Sequence, residues 1–199
     1  MNIAMDAGRF AVGQPVSRME DPVLLRGEGR YTDDLNLPGQ AYGVMVRSRV
    51  AHGVLTSLDV DAARAAPGVL AVITVTDLKA AGIKPMQINI AGPNHDGTPI
   101  PKPVQYALTG DKVRYVGDPL AFIVAETRAQ AKDAAELVFA DIEECPAVTE
   151  AAAALGGPAL HDEAPDNVVL DWKFGDEAAV DAAFAGAAHV VGGPMRNNR

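Results

Sequence analysis

The sequence predicts an α+β domain made of two similar halves, and three observations carry that reading. Tyr42, Val44 and Val46 alternate with Ala41, Gly43 and Met45, the period-two pattern of a half-buried strand. Residues 69–75, VLAVITV, form a continuous apolar, β-branched run of the kind that is buried on both faces of a sheet. Thr127 with Gln130 three residues later makes a capping box, and Ala131, Ala134, Ala135 and Val138 then recur at helical spacing. Strand, strand, helix, strand is the order of the first half, and strands, helix, strand that of the second, ending near residue 147. Such an order belongs to an α+β or α/β domain.

Taken in order, residues 1–16 lack any period and read as a flexible arm. Residues 16–40 are punctuated by Pro22, Gly27, Gly29, Pro38 and Gly39, which leaves room for a short turn of helix or an extended leader. After the strand at 42–46, VLTSLDVD offers Leu55, Leu58 and Val60 as a second strand. Asp61 is expected to cap a short helix that stops at Pro67-Gly68. Thr76 is expected to start another, ending at Gly82, with Asp77 in its first turn where the helix dipole favours an acid. Five prolines and two glycines between 84 and 104 leave only a long loop, either an interfacial element or a surface excursion.

Beyond the loop, the pattern gives a strand near residue 106, a turn at Thr109-Gly110-Asp111, and a short strand over Val113–Tyr115. A turn at Gly117-Asp118-Pro119, a strong strand over Leu120–Ala125, the capped helix and a final strand ended by Pro146 complete it. Residues 148–199 then change character. A short Ala-rich helix breaks at Gly156-Gly157-Pro158 and becomes a linker carrying Pro165. VVLDWKFGD reads as a strand, EAAVDAAFAGA as a helix with Val180 and Phe184 on one face, and AHVV as the opening of another strand. This segment is expected to begin a second domain and to leave Val169, Trp172, Phe174 and Phe184 uncovered.

Composition narrows the function classes. The chain has 199 residues with 17 Lys+Arg against 26 Asp+Glu, a net charge of −9, the wrong sign for a free-standing nucleic-acid binder. Of the 48% hydrophobic residues a large share is alanine, 35 in all, so large apolar side chains suffice for one compact core. A single cysteine, Cys145, excludes an internal disulfide and any zinc or iron–sulfur site ligated by cysteines of this chain alone. No signal-peptide run and no membrane-length apolar window occurs, so the expectation is a soluble, cytoplasmic protein with no membrane span.

Motifs for chemistry are weak. In Gly27-Glu28-Gly29-Arg30 the third glycine of a dinucleotide fingerprint would fall at Thr32, and neither a P-loop nor a hydrolase nucleophile elbow is present. His52, His95, His161 and His189 are widely separated, without metal-ligand spacing. His161-Asp162-Glu163 sets an imidazole beside two carboxylates, but in a Pro-flanked linker with nothing to fix its geometry. Glu143 and Glu144 beside Cys145 disfavour a thiolate, and Arg30, Arg47 and Arg49 read as surface ion-pairing groups. From the residues alone, no catalytic, cofactor-binding or metal residue is assigned, and the chain reads as an interaction or scaffolding module.

Three ordered strings add a resemblance. VGQPVSRMEDPVLLRGEGRYTDDLNLPGQ, VRYVGDPLAFIVAETRAQAKDAAELV and LHDEAPDNVVLDWKFGD resemble, with matching spacing, the N-terminal part of the molybdenum-containing large subunits of the xanthine dehydrogenase and aldehyde oxidase family. Large chains of aerobic bacterial carbon monoxide dehydrogenases are the nearest in character. The resemblance covers Val12 to about Val191. It implies an α/β hammerhead domain over about 17–147, followed at 148–199 by a linker and the first elements of a molybdopterin-binding domain. It further implies an oxidoreductase whose full-length subunit holds molybdenum on molybdopterin, in the cytosine dinucleotide form. FAD and iron–sulfur clusters would sit on a medium and a small partner subunit. The family's pterin-holding residues and its glutamate base match no position here, so none is carried over and this portion is expected to be inactive alone. Where the family reads R-S-P-H-A-H-A-R-I, this chain has RSRVAHGVL, departing at Arg49, Val50 and Val54. It also places Gly192-Gly193-Pro194 where the family continues a strand. The rival expectations are a stand-alone interaction module using loop 84–104 and a truncated gene product.

Overall fold

The computed structural model describes residues 17–87 and 89–194, so the flexible-arm expectation for 1–16 lies outside the described residues. Two compact units divide at Ala41/Tyr42. In the first, helix α1 spans Asp21–Leu25, with Pro22 in the opening turn where its missing N–H costs nothing. Gly27 adopts φ 71°, and the N–H groups of Gly27 and Glu28 donate to the carbonyls of Leu24 and Val23, closing the helix end. The first glycine of Gly-Glu-Gly is thus a helix stop. A 3₁₀ turn at Thr32–Asp34 follows, held by the Asp34 carboxylate, which accepts the Tyr31 N–H at 2.9 Å.

The second unit contains β1 (Tyr42–Arg47), β2 (Gly53–Asp59), α2 (Asp61–Arg64), β3 (Val69–Ile73) and α3 (Val75–Ala80) before the long loop. After it come β4 (Lys112–Val113), β5 (Pro119–Ala125), α4 (Arg128–Glu136), β6 (Phe139–Glu144), α5 (Ala151–Ala154) and α6 (Glu177–Gly186). The strands form two three-stranded sheets, β1-β5-β3 and β4-β2-β6. Every pairing is antiparallel, which settles the class as α+β.

β5 is the central strand of the first sheet. Its Ile123 stands opposite Val44 of β1 and Val72 of β3, and Leu120, Ala121, Ile123 and Ala125 are all buried. Helices α2 and α4 lie against this sheet through Ala63, Ala131 and Ala134, each fully buried. Methyl side chains permit that close approach, which is where part of the alanine content goes. Gly43 serves the same end: a Cβ there would collide with the Phe122 ring across the strand pair. In the second sheet, Gly53 is flanked on both sides, and an added Cβ would sit 2.6 Å from the Glu143 carbonyl oxygen.

Several local expectations need correcting. The run at 69–75 is not buried on both faces: β3 is an edge strand, Leu70 is 59% exposed, and the doubly covered strand is β5. Asp61 is inside α2 and not its cap; its N–H is instead taken by the Asp59 carboxylate at 3.0 Å. The next helix, α3, is capped by Thr74, two residues before Thr76. There the Asp77 carboxylate accepts the N–H and hydroxyl of Thr74, both at 2.7 Å, so the hydroxyl first, then the N–H, holds Asp77 below the ordinary carboxylate range. Strand β4 covers two residues, Lys112 and Val113, short of Tyr115. Residues 168–175 and 188–191 are not strands, because no neighbouring strand offers them a ladder among the described residues.

The helix after β5 forms as its cap predicts, with Thr127 Oγ1 accepting the Gln130 N–H at 3.2 Å. Thr127→Ala should therefore cost about 1 kcal/mol in urea unfolding, with an unchanged m-value.

Candidate functional site

A cleft of about 340 Å³ opens where α3, the β4–β5 region and the 158–168 strap meet. Its framework is Asp118, in the turn before β5, which is only 4% exposed. Thr109 Oγ1 donates to its Oδ1 at 2.6 Å, and the Arg114 N–H donates to its Oδ2 at 3.0 Å. Its carbonyl accepts the Ser48 N–H at 2.9 Å, tying the turn to the end of β1. Tyr115 lies alongside, and burial first, then the charge of Asp118, push its phenol above the usual value of 10.0.

Arg114 joins this framework to the strap. Its Nε donates to the Leu160 carbonyl at 3.1 Å and its Nη1 to the Lys112 carbonyl at 2.9 Å, with Asp111 at 3.8 Å. Lys112 reaches Asp162 at 3.7 Å, and Glu163 Oε1 accepts the Val104 N–H at 3.3 Å. Asn167, at φ 60°, anchors the strap from inside: its Oδ1 accepts the Leu160 N–H, and its Nδ2 donates to the carbonyls of Ala154 and Pro158. Asparagine tolerates the left-handed region because its short amide bonds to local backbone.

His161-Asp162-Glu163 is thus brought into a fixed place. Its two acids hold chain segments together, and His161 Nδ1 is buried without a hydrogen-bond partner. Burial first, then the guanidinium of Arg114, hold His161 below its usual 6.5. The sign follows. An unfolded chain binds this proton before the folded one does, so the stability His161 contributes is present above about pH 6.5 and is lost as pH falls through the lower folded value. Melting temperatures scanned from about pH 7.5 to 5 should fall more steeply for the wild type than for His161→Gln; parallel curves would refute the assignment.

Other singled-out residues lie apart from the cleft. His52 is buried, with Nδ1 2.9 Å from the Pro146 carbonyl and Nε2 unpartnered, while its own carbonyl accepts the Cys145 N–H. It pins the end of β6 to the β1–β2 connection. His95 Nδ1 lies 2.9 Å from Asp171, and His189 is exposed. Cys145 Sγ is 3.9 Å from the Glu143 carbonyl. Arg47 donates to the Gly117 carbonyl at 2.9 Å, Arg49 and Arg30 are exposed, and Val50, one of the divergent positions, gives its N–H to Ser48 Oγ at 3.0 Å. Among the described residues no three His, Cys, Asp or Glu side chains converge as a metal site, and no helix is long and apolar enough to cross a membrane. Thr109, Arg114 and Asp118 were invisible as a group in the sequence; the one available signal was an acid before proline in a turn.

Residues 26–146 match the family described as aldehyde oxidase and xanthine dehydrogenase, a/b hammerhead domain. The nicotine 6-hydroxylase large subunit of Paenarthrobacter nicotinovorans is 40% identical over 188 residues, 92% of this chain. The carbon monoxide dehydrogenase large chain of Afipia carboxidovorans is 35% identical over 187 residues, 87% of this chain. A crystal structure of Cu,Mo-CO dehydrogenase superposes with a TM-score of 0.68 at 33% identity, over 89% of this chain and 23% of that one. The chain spans 22% of the length of each of the two curated relatives. With the α+β sheets in place and the match running through both halves, the chain belongs to the aldehyde oxidase and xanthine dehydrogenase a/b hammerhead family.

Proposed function

We propose that this chain is the N-terminal hammerhead portion of the large subunit of a molybdenum-dependent oxidoreductase. Residues 17–147 form the hammerhead domain, and 148–199 form the linker and first elements of the molybdopterin-binding domain. The observation that carries the reading is similarity to large subunits along 92% of the chain, well past the hammerhead match itself. Its role is structural: it packs against the rest of the large subunit and helps wall the cofactor off from water. The uncovered side chains support that role, since Trp172 and Phe174 stack at 5.8 Å while 66% and 90% exposed, and α6 buries none of its ten residues.

The residues present do not fit molybdopterin by themselves. The cleft is lined by four acids, Asp111, Asp118, Asp162 and Glu163, against two cations, Lys79 and Arg114, a net negative balance that does not suit a phosphate-bearing cofactor. The cofactor, in its cytosine dinucleotide form, belongs to the remainder of the large subunit. FAD and iron–sulfur clusters belong to medium and small partner subunits, and the assembly is cytoplasmic.

The test is purification from the native host with molybdenum analysis. Molybdenum, pterin fluorescence and two co-purifying subunits are expected; a metal-free, pterin-free chain without partners would overturn the reading in favour of a stand-alone interaction module. The recombinant chain alone should show no dye-linked oxidation of carbon monoxide, aldehydes or purines, and turnover above background would mean that it contains an active site.

A further inference from the structure

All four strand ladders of the domain cross loop 84–104. β1 pairs with β5, β3 with β5, β2 with β4 and β2 with β6, each joining a strand before the loop to one after it. No ladder lies within either half among the described residues. The halves also share one plan, strand–strand–helix–strand, as β1-β2-α2-β3 and β4-β5-α4-β6. In each sheet the first and third strands of one half flank the second strand of the other: β1 and β3 flank β5, while β4 and β6 flank β2. The exchange of strands is reciprocal, and α4 of the second half lies on β1 of the first, while α2 stays on β3 of its own half and meets α4.

The covalent link contributes little to these pairings. Between α3 and β4 the loop is held across its base by one bridge, the Met86 N–H donating to the Gln105 carbonyl at 2.8 Å. The organised tip, where Asn94 and His95 bond to Asp171, lies wholly in the second half. A break between Ala91 and Gly92 therefore severs no ladder, no helix and none of the tip contacts.

We propose that the two halves are mutual binding partners that assemble by strand exchange, so that a half from a second copy of this chain can take the place of its own. Each half presents a slot between two strands, and the occupant that fits it is the central strand of the opposite half. Both slots must fill together, because a half that donates its second strand without receiving one is left with two strands that have no ladder between them.

The full chain carrying a specific protease site between Ala91 and Gly92 tests this. After cleavage in native buffer, the halves should co-elute at the mass of the intact chain with its circular dichroism. Urea unfolding should change from concentration-independent to concentration-dependent, its midpoint dropping on dilution, as a bimolecular equilibrium requires. Two cleaved preparations with different tags, mixed, unfolded and refolded, should yield hybrid pairs carrying both tags. Separation of the halves in native buffer, either half retaining strand signal when isolated, or refolding without hybrids would each overturn the proposal.

Discussion

Asp118→Ala is expected to lower the unfolding free energy by about 2–6 kcal/mol. It strips the acceptor from two half-buried groups at once, the Thr109 hydroxyl and the Arg114 N–H, and each donor left without a partner costs up to about 1–3 kcal/mol. At 4% exposure, water has little access to replace the carboxylate. The damage should spread to the strap, because Arg114 leaves the turn through its Nε to hold the Leu160 carbonyl. Urea titration measures the loss, and proteolysis near residues 158–168 should accelerate with it. In a double-mutant cycle with Thr109→Val the two losses should add to less than their sum, since both remove the same contact. Full additivity would show that the 2.6 Å contact does not contribute.

Ile123→Ala should cost about 2–5 kcal/mol, the range for truncating a buried aliphatic side chain. Ile123 is fully buried on the central strand and meets both flanking strands. Its neighbours in the core are largely alanines, Ala63, Ala121, Ala131 and Ala134, which have no side-chain length with which to fill the space left behind. The value should fall in the upper part of the range, as judged by denaturation midpoints at constant m-value. A loss below about 1 kcal/mol would mean that α2 and α4 settle onto the sheet.

The two predictions also show which parts of this fold were legible in sequence. β1, β5 and α4 announce themselves through local signals: alternation, a bulky apolar run, and Thr127 placed before Gln130. Partner choice is not local. The run at 69–75 reads as an interior strand, yet its surroundings depend on β5, some fifty residues later, which takes the centre and leaves β3 at the edge. Residues 168–175 carry the apolar content of a strand and are not one, since a strand exists only where another chain segment offers hydrogen bonds. The cleft was harder still. His161 looked unfixed beside Pro165, and what fixes its surroundings is Arg114, gripping the carbonyl of its neighbour Leu160 from 46 residues away. Caps and alternation are written within a few residues; a guanidinium reaching across the fold is not.

Reciprocal pairing across loop 84–104 sets a timetable for synthesis. A ribosome extends a chain at about 5–20 residues per second, so the 78 residues from Arg47 to Ala125 take roughly 4–16 s. For that interval β1, and β2 and β3 once each is made, have no ladder to join until strands beyond the loop follow. Val44, Val46, Leu58 and Val72, which end in or against the core, are left without their partner strands once they emerge, exposed to chaperones and to neighbouring nascent chains until the second half follows. The second half meets no such delay, because its partners are already waiting when it emerges. Codon changes that slow translation between Ile73 and Pro119 should therefore cost soluble yield, while the same changes after Glu144 should not.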